Sequence, residues 1–423
     1  MPTYLKRPPH EPGEDAHAVA ATVAEILGRV RAEGIDAVRY YSEKLDRWNP
    51  REFRVTEDAK RKATDSVDRE LKRHIDFAAD QILGFAEAQR ATMTDLEVET
   101  LPGVRLGHRH IPVASVGSYS PGGLYPLIAS SLMTIITPKV AGVDRVVAVA
   151  PPRDGASIHP PQLYAMTRAG ADEMFCIGGV QALAALVFGI EGSEPVDMIV
   201  GAGNAYVAEA KRQLFGEVGI DLLAGPTEIA VIADEHADAR LVAADLLGQA
   251  EHGPTSPAIL ITTSRDFGES VIGEVERWLS GDWPTVAIAG KAWRDYGTVV
   301  VCESDDEAVQ VSDDYAAEHL EVQTRDPGWY QERLRNYGSL FLGPHSTVAF
   351  SDKSIGTNHV LPTRRAARYT GGLWVGKFLK TLTYQSVTSS GSEAVAPSTA
   401  AIADAELMFG HALTARLRLR LPD

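Results

Sequence analysis

The feature that most constrains the fold is a series of short segments that are apolar at nearly every position. Examples along the chain are "RVVAVAPP", "VDMIVG", "EIAVIAD", "AILITTS" and "TVVVCES". Segments with helical periodicity, such as "PPQLYAMTRAGA" and "VQALAALVFGI", lie between them. A strand that is apolar on both sides is buried on both faces, so this alternation predicts an α/β fold with parallel sheets covered by helices. Two such units are expected, at about 104–228 and 229–345.

Length and charge limit the domain number and the partners. A chain of 423 residues exceeds what one hydrophobic core usually serves, so two or three domains are expected. The net charge of −16 argues against nucleic acid or an anionic membrane as partner, because both require clustered Lys and Arg. Cys176 and Cys302 lie far apart in apolar runs, which is typical of a reducing compartment. With no apolar signal core and no run of transmembrane length, the expected location is the cytoplasm.

The two ends of the chain have helical patterns. Apolar residues recur at spacings of three and four over about 14–92. The last stretch, "TAAIADAELMFGHALTARLRLRLPD", predicts a helix with an apolar face and a short basic tail. It follows the Ser- and Gly-rich connection "SVTSSGSEAVAPS", so it can pack on its own domain or reach a partner subunit.

Three glycine turns between predicted strands and helices are candidates for cofactor binding. They are "SYSPGG", "IGGVQAL" and "VGAGNAYV". Glycine lets the backbone approach a ligand closely, and helix N-termini favour phosphate, so a dinucleotide can lie across such turns. None matches the full G-x-G-x-x-G pattern, and each taken alone is more often just a tight turn, although the occurrence of three in one unit favours a ligand role.

Metal-binding side chains occur in three pairs, namely Gln249 with His252, Asp352 with His359, and Glu406 with His411. Gln249 and His252 share one face of a predicted helix, because residues three apart are neighbours there. One carboxylate, two imidazoles and an amide oxygen suit zinc, with substrate completing the coordination sphere. The alternative is that each histidine is structural and that "GQAEHGP" is the polar end of a helix.

A candidate acid/base pair lies in "DDYAAEHLEVQT". On a regular helix, Glu318 and His319 would point about 100° apart and could serve different steps, one accepting a substrate proton and the other activating water. The same stretch is also compatible with the solvated end of a helix.

Five motifs, in order along the chain, resemble the histidinol dehydrogenase family. They are "LLAGPTEIAVIAD", "LLGQAEHGP", "AEHLEVQ", "GTNHVLPT" and the closing Glu406 with His411. The similarity extends from about residue 25 to about 415. It implies a homodimer that exchanges C-terminal segments, with two incomplete Rossmann-like domains in an aldehyde-dehydrogenase-like arrangement and small helical terminal segments.

The resemblance implies a division of the chain into four parts. Residues 1–25 form an N-terminal arm and helix. Residues 26–118 with 229–370 form a first Rossmann-like domain that carries most metal and catalytic residues. Residues 119–228 form a second, NAD-binding domain, and residues 371–423 form the exchanged segment.

The resemblance also implies roles for individual residues in a four-electron oxidation of a primary alcohol to an acid, with two NAD per turnover and one zinc per site. The zinc ligands are Gln249, His252 and Asp352 of one chain and His411 of the other; the catalytic pair is Glu318 and His319; the substrate contacts are Thr227, His359 and Glu406; and the NAD contacts are Tyr119, Gln181 and Asn204. Thr227 replaces a serine of the family and keeps the hydroxyl.

Some segments depart from the pattern of histidinol dehydrogenases. The chain has "LYPLIASS", "GAGN" and "GGLWVGKFLKTLTYQSVT" where the family usually differs, and Arg364 and Arg365 follow "NHVLPT". In these segments the chain resembles the related branch of enzymes that oxidises (R)-2,3-dihydroxypropane-1-sulfonate at C3 to sulfolactate. A guanidinium is the natural partner of a sulfonate, so Arg364 or Arg365 is expected to bind it, unless both are surface residues.

Three functions remain open from the sequence. The first is a hydroxysulfonate dehydrogenase, the second is a histidinol dehydrogenase, and the third is a non-catalytic zinc- or nucleotide-binding module. Retention of Glu318 and His319 favours an enzyme, because a binding module needs no acid/base pair.

Overall fold

The protein is described by a computed structural model that covers residues 1–9, 16–153 and 155–419. Its strands are β1 Thr3–Lys6, β2 Leu96–Leu101, β3 Val104–Pro112, β4 Ser115–Tyr119, β5 Arg145–Ala150, β6 Glu173–Cys176, β7 Met198–Val200, β8 Gly219–Ile220, β9 Ile229–Ala233, β10 Ala258–Thr262, β11 Gly297–Val301, β12 His319–Gln323, β13 Ser339–Leu342 and β14 Leu379–Val387.

The strands alternate with sixteen α-helices in the described residues. They are α1 Ala16–Glu33, α2 Ile35–Asp46, α3 Glu57–Ser66, α4 Arg69–Ala91, α5 Ile128–Ala141, α6 Pro160–Ala169, α7 Gly179–Phe188, α8 Ala205–Leu214, α9 Ala239–Ala250, α10 Arg265–Leu279, α11 Val286–Tyr296, α12 Asp305–Tyr315, α13 Pro327–Arg333, α14 Val348–Lys353, α15 Ser389–Ala405 and α16 Phe409–Arg418. No described helix combines the length and the hydropathy that crossing a bilayer requires.

Two separate sheets form the body of the molecule, and they are parallel apart from the edge strand β1. The five-stranded sheet has the order β6-β5-β4-β7-β8, and the six-stranded sheet has the order β1-β11-β10-β9-β12-β13. Every residue of β4, β9 and β10 is buried, as expected for strands covered by helices on both faces. The predicted α/β class with two parallel units is therefore confirmed.

The N-terminal arm contains a strand that the sequence had not indicated. β1 pairs antiparallel with β11 and extends the edge of the six-stranded sheet, with Tyr4 opposite Val300. Its four residues are too few to carry a clear periodicity, so the pattern of "TYLK" gives little signal of a strand.

The helices that follow differ from the implied division, which joined 26–118 to 229–370. α1 packs on α7 and α8, while α3 and α4 pack on α5 and α6, so these helices cover the five-stranded sheet. Val23, Ile26 and Val30 of α1 belong to the same core as the side chains of α7. Periodicity shows that a helix has a buried face, but it does not show which sheet that face meets.

The C-terminal segment is also more than helical. β14 pairs antiparallel with β3 along nine residues, from Leu379 opposite Pro112 to Val387 opposite Val104, and β3 pairs with β2. α15 and α16 follow as a helical hairpin with its own small core of alanines. The segment is thus tied to this sheet before its last two helices.

A buried ion pair holds the turn after β7. The ammonium of Lys211 contacts the carboxylate of Asp221 and donates to the Gly201 carbonyl at 2.8 Å. Asp221 in turn accepts the N–H groups of Gly201 at 2.9 Å and Leu222 at 2.7 Å. Gly201 has φ +126°, and a Cβ there would lie 2.2 Å from the carbonyl oxygen of Tyr119, so only glycine fits.

Replacing Lys211 by methionine should destabilise the protein. The substitution keeps the bulk of the side chain but leaves the Asp221 carboxylate buried without its cation, which costs about 3–5 kcal/mol in the free energy of unfolding. The matched control is Lys62→Met, because the ammonium of Lys62 pairs with Asp58 in the open, where water screens the pair and its loss changes stability little. Urea unfolding measures both, and equal small losses would contradict a structural role for the buried pair.

Candidate active site

The candidate site lies where two edges of the sheets face each other. Tyr119 ends β4, Gln181 lies in the first turn of α7, and Asn204 caps α8, so these three belong to the carboxyl edge of the five-stranded sheet. Thr227 precedes β9, and Glu318 immediately precedes β12, so they belong to the amino edge of the six-stranded sheet.

One cavity joins the two edges. It has a volume of about 720 Å³, and its lining includes Tyr119, Gln181, Asn204, Thr227 and His252. The structure therefore brings the three residues matched to NAD contacts together with two residues matched to substrate and metal contacts.

The predicted acid/base pair is buried at the start of a strand. α12 ends at Tyr315, Ala316 adopts a left-handed conformation, and β12 begins at His319. The expectations of helical geometry and of a solvated helix end are therefore both wrong. Glu318 is 4% and His319 is 2% exposed, so both side chains are withdrawn from bulk water.

Hydrogen bonds orient both members of the pair. The Thr227 hydroxyl and the Glu228 backbone N–H, the latter at 2.9 Å, both donate to Oε2 of Glu318. Nδ1 of His319 lies 3.0 Å from the Glu228 carbonyl, which can only accept, so this nitrogen carries the proton. Nε2 of His319 is then the basic nitrogen, and it is buried without a hydrogen-bond partner.

Burial favours the neutral form of each acid/base group, and it shifts the pKa of each group accordingly. It raises the pKa of Glu318 well above the usual range, and the hydrogen bond from Thr227 opposes this only in part. It lowers the pKa of His319 below the usual 6.5. Burial also raises the pKa of the neighbouring Glu228 to about 7. Burial therefore favours the neutral form of both Glu318 and His319.

The residues matched to zinc ligands within one chain converge beside this pair. The Gln249 side-chain amide donates to the Thr227 hydroxyl. Nε2 of His252 lies 3.8 Å from Oδ2 of Asp352, and Oδ1 of Asp352 lies 3.8 Å from Nε2 of His319. Burial raises the pKa of Asp352, but the nearby histidines and Lys353 outweigh it and lower the pKa overall.

A cation fits between His252 and Asp352. Two ligand atoms that each lie about 2.0–2.2 Å from a zinc ion can be no more than about 4.4 Å apart, and the observed 3.8 Å lies within this limit. Among residues 1–9, 16–153 and 155–419, no three His, Cys, Asp or Glu side chains form a metal-binding group. Of the three ligands matched within one chain, only His252 and Asp352 are of those types, since Gln249 is an amide.

His359 is held on both sides of its ring. Nδ1 lies 3.1 Å from the carbonyl oxygen of Asp352, and Nε2 lies 2.6 Å from the hydroxyl of Ser130. Since the carbonyl only accepts, Nδ1 carries the proton and the Ser130 hydroxyl donates to Nε2. A substrate that binds Nε2 of His359 must therefore displace this hydroxyl.

His359 and His252 line a second cavity that meets the first. It has a volume of about 650 Å³, and its lining also includes Tyr125, Leu127 and Lys353. Tyr125, Leu127 and His252 line both cavities, so the two spaces adjoin at His252.

The two arginines lie outside both cavities. Arg364 lines a third cavity of about 230 Å³, which shares Ala205 and Gly225 with the first, and its backbone N–H donates to Glu228 at 3.2 Å. Arg365 is exposed and has φ +65°. Among the described residues, no hydrogen bond or ion pair joins either guanidinium to Thr227 or His359.

Glu406 and His411 are likewise separate from the site in this chain. Both are exposed, at the junction of α15 and α16 and on α16. Neither lines the two cavities that meet at His252.

The residues matched to NAD contacts leave one acceptor without a partner. The Gln181 amide donates to Asp46 at 3.2 Å, while its Oε1 is buried without a hydrogen bond. The Tyr119 hydroxyl accepts the Gly179 N–H at 3.3 Å, and burial raises its pKa to about 12. Asn204 caps α8 by accepting two N–H groups, from Tyr206 at 3.1 Å and Val207 at 3.2 Å.

Sequence reasoning missed four residues at this site, namely Asp46, Ser130, Glu228 and Lys353. Asp46 and Ser130 reach the site through contacts that span 135 and 229 residues along the chain, and no local pattern marks them. Glu228 and Lys353 each directly follow a residue that the resemblance had matched, so adjacency was the available signal.

Comparison with known proteins places these residues in a family. The family model for histidinol dehydrogenase matches residues 10–419. A histidinol dehydrogenase homolog from Shouchella clausii is 50% identical over 422 residues, covering 99% of each chain. A sulfopropanediol 3-dehydrogenase from Ruegeria pomeroyi is 46% identical over 418 residues, covering 98% of this chain and 96% of the relative.

A solved structure agrees along nearly the whole chain. The crystal structure of histidinol dehydrogenase from Elizabethkingia anophelis is 34% identical, with a TM-score of 0.91, and the match covers 98% of this chain and 94% of that one. Sequence and structure therefore agree that this chain belongs to the histidinol dehydrogenase family.

Proposed function

We propose that this member of a family of NAD-dependent dehydrogenases oxidises a primary alcohol to a carboxylate through an aldehyde. The favoured substrate is 2,3-dihydroxypropane-1-sulfonate, and L-histidinol is the second candidate. The observation that carries the reaction type is Nε2 of His319, a buried basic nitrogen with no hydrogen-bond partner that faces the cluster around Asp352.

His319 supplies the base for both oxidations. Because its Nδ1 is held by the Glu228 carbonyl, Nε2 accepts the proton of the substrate hydroxyl as the C–H hydride leaves. NAD, when bound, accepts one hydride in each oxidation. In the second oxidation, the same nitrogen accepts a proton from the hydrated aldehyde.

Glu318 supplies the base for hydration between the two oxidations. Its raised pKa makes it a stronger base than an exposed carboxylate, so it can take a proton from the water that attacks the aldehyde carbon. The hydroxyl of Thr227 and the N–H of Glu228 hold its Oε2 in place. One alcohol, one water and two NAD⁺ then give one carboxylate, two NADH and three protons.

The chemistry of the donor set supports zinc as the metal. Gln249, His252 and Asp352 would hold it in one chain, and a zinc ion supplies a positive charge that polarises the substrate oxygen. The 3.8 Å gap between His252 and Asp352 accommodates such an ion. His411 is the proposed fourth protein ligand, contributed by a second chain.

Homodimer formation would complete the site. The hairpin of α15 and α16 exposes large apolar side chains, among them Leu407, Phe409, Leu413 and Leu417, each more than half exposed. Several large apolar side chains exposed on one helical hairpin are typical of an interaction site. Its burial on a second copy would bring Glu406 and His411 near that copy's cavities.

The first experiment compares substrates. Zinc-loaded protein is given NAD with either dihydroxypropanesulfonate or histidinol, and the absorbance of NADH is followed. We expect turnover of the sulfonate with two NADH per substrate, and a loss of about 10²–10⁴-fold in kcat for His319→Asn. Turnover of histidinol alone would contradict the favoured substrate and leave the reaction type standing, whereas turnover of neither would contradict both substrate assignments.

A second experiment tests the shared site. Glu318→Gln and His411→Asn chains with different tags are produced together, and the heterodimer is purified. One of its two sites then combines an intact Glu318 with an intact His411 from the partner, so we expect about half of wild-type activity although each homodimer is nearly inactive.

The control heterodimer pairs Glu318→Gln with the Glu318→Gln/His411→Asn double variant, and it contains no intact site. Absence of recovery in the first heterodimer would show that His411 acts in its own chain, and a fully active His411→Asn homodimer would show that it has no role.

A further inference from the structure

Lys353 provides a positive charge at the cavity that also contains His252 and His359. It is the last residue of α14, directly after Asp352, and it lines the 650 Å³ cavity. Its ammonium lies 3.6 Å from Oδ2 of Asp352, and 56% of its side chain is exposed. It thus lies between solvent and the candidate catalytic cluster.

The ammonium keeps its hydrogen-bonding capacity. Among the residues that the structure describes, Lys353 has only the ion pair with Asp352, at a separation longer than a hydrogen bond. Other ionisable groups of the lining are engaged elsewhere. The Glu251 carboxylate accepts the Thr285 hydroxyl, and His74 pairs with Glu70 at 3.2 Å.

The remaining lining of this cavity is largely apolar, with Ile75, Ala78, Ile128, Ala129 and Leu132 among its members. A free cation in such surroundings favours a ligand that has a short carbon chain and an anionic end. An ammonium has three N–H donors, and a sulfonate offers three acceptor oxygens.

From this arrangement we infer that Lys353, rather than Arg364 or Arg365, binds the anionic group of the substrate and selects for it. The inference rests on the proposed oxidation at His319 and narrows its substrate to the class of short hydroxyalkyl anions. Arg364 lines the 230 Å³ cavity, whose lining includes neither His252 nor His359, and Arg365 lines none of the three cavities.

The distances are compatible with a three-carbon substrate. The ammonium lies 3.6 Å from one oxygen of Asp352, and Nε2 of His319 lies 3.8 Å from the other. When the separation of the two carboxylate oxygens is added to these distances, Nζ of Lys353 and Nε2 of His319 are no more than about 10 Å apart. A hydroxyl and a sulfonate at the two ends of three carbons, with a hydrogen bond of about 2.8 Å at each end, can span that distance.

The test compares Lys353→Gln with Lys353→Arg and a matched control. The glutamine variant removes the charge, the arginine variant keeps it, and Lys291→Gln removes an exposed lysine that pairs with Asp295 at 2.8 Å on α11. For each protein, KM and kcat are measured with dihydroxypropanesulfonate and with the neutral analogue 1,2-propanediol, and bound zinc is quantified.

We expect Lys353→Gln to raise KM for the sulfonate about tenfold, with kcat changed far less and with zinc content as in the wild type. The loss in kcat/KM for the sulfonate should exceed the loss for propanediol by a similar factor. Lys353→Arg should recover most of the affinity, and Lys291→Gln should match the wild type. In the wild type, KM for the sulfonate should rise with added salt more steeply than in Lys353→Gln, since salt screens an exposed charge.

Equal losses for the charged and the neutral substrate, or an unchanged KM, would overturn the inference while leaving the proposed function intact. If the wild type oxidises no hydroxysulfonate, the favoured substrate fails instead. Inhibition by propane-1-sulfonate against the substrate that is oxidised then tests Lys353 separately. Equal inhibition constants for the wild type and Lys353→Gln would overturn the inference.

Discussion

A cluster of buried carboxyl groups links the three elements that carry the candidate site. Nε2 of Gln323 donates to Asp245 and to Glu321, both at 2.9 Å, while Thr347 donates to Asp245 and the Val348 N–H donates to Glu321, both at 3.0 Å. These contacts join α9, β12 and α14, which carry or adjoin Gln249, Glu318 with His319, and Asp352. Burial raises the pKa of both carboxyl groups, so they can share a proton and avoid repulsion. The relative placement of the proposed base and metal ligands depends on this cluster.

The candidate site lies at the carboxyl ends of strands in one sheet and at the amino ends of strands in the other. Ligands of open α/β sheets usually bind at the carboxyl ends of strands, and Tyr119, Gln181 and Asn204 follow this rule in the five-stranded sheet. The acid/base pair lies at the opposite, amino end of β12 in the six-stranded sheet. Under the proposed function, a cofactor bound at the first edge would face the bases of the second, and a substrate between them would be reached from both sides. Neither sheet alone would provide this arrangement.

How well the sequence predicts the structure depends on how far apart along the chain the interacting residues lie. Continuous apolar runs identified β9, β10 and β11, because burial of a strand on both faces is encoded locally. The family motifs identified seven residues that the structure places in or beside two adjoining cavities. Thr227, His252 and His359 line them, Gln249, Glu318 and Asp352 hydrogen-bond to lining residues, and His319 lies 3.8 Å from Asp352. The helical reading of Glu318 and His319 failed because Ala316, at φ +52°, ends α12 just before them. Ser130 was missed because its contact with His359 spans 229 residues, which no local pattern reveals.

The last two helices show why part of the predicted site is absent from a single chain. α15 and α16 pack on each other through alanines, including Ala396, Ala400 and Ala412, so their mutual core uses only small side chains. Their larger apolar side chains remain exposed to water. The hydration of apolar surface is unfavourable, so burying these side chains would lower the free energy of the chain. A second copy that covers this surface would remove the cost and would deliver Glu406 and His411 to the cavities that contain His252 and His359. Under that proposal, assembly and completion of the site are the same event, and a monomer would retain the bases of β12 without the full set of metal ligands.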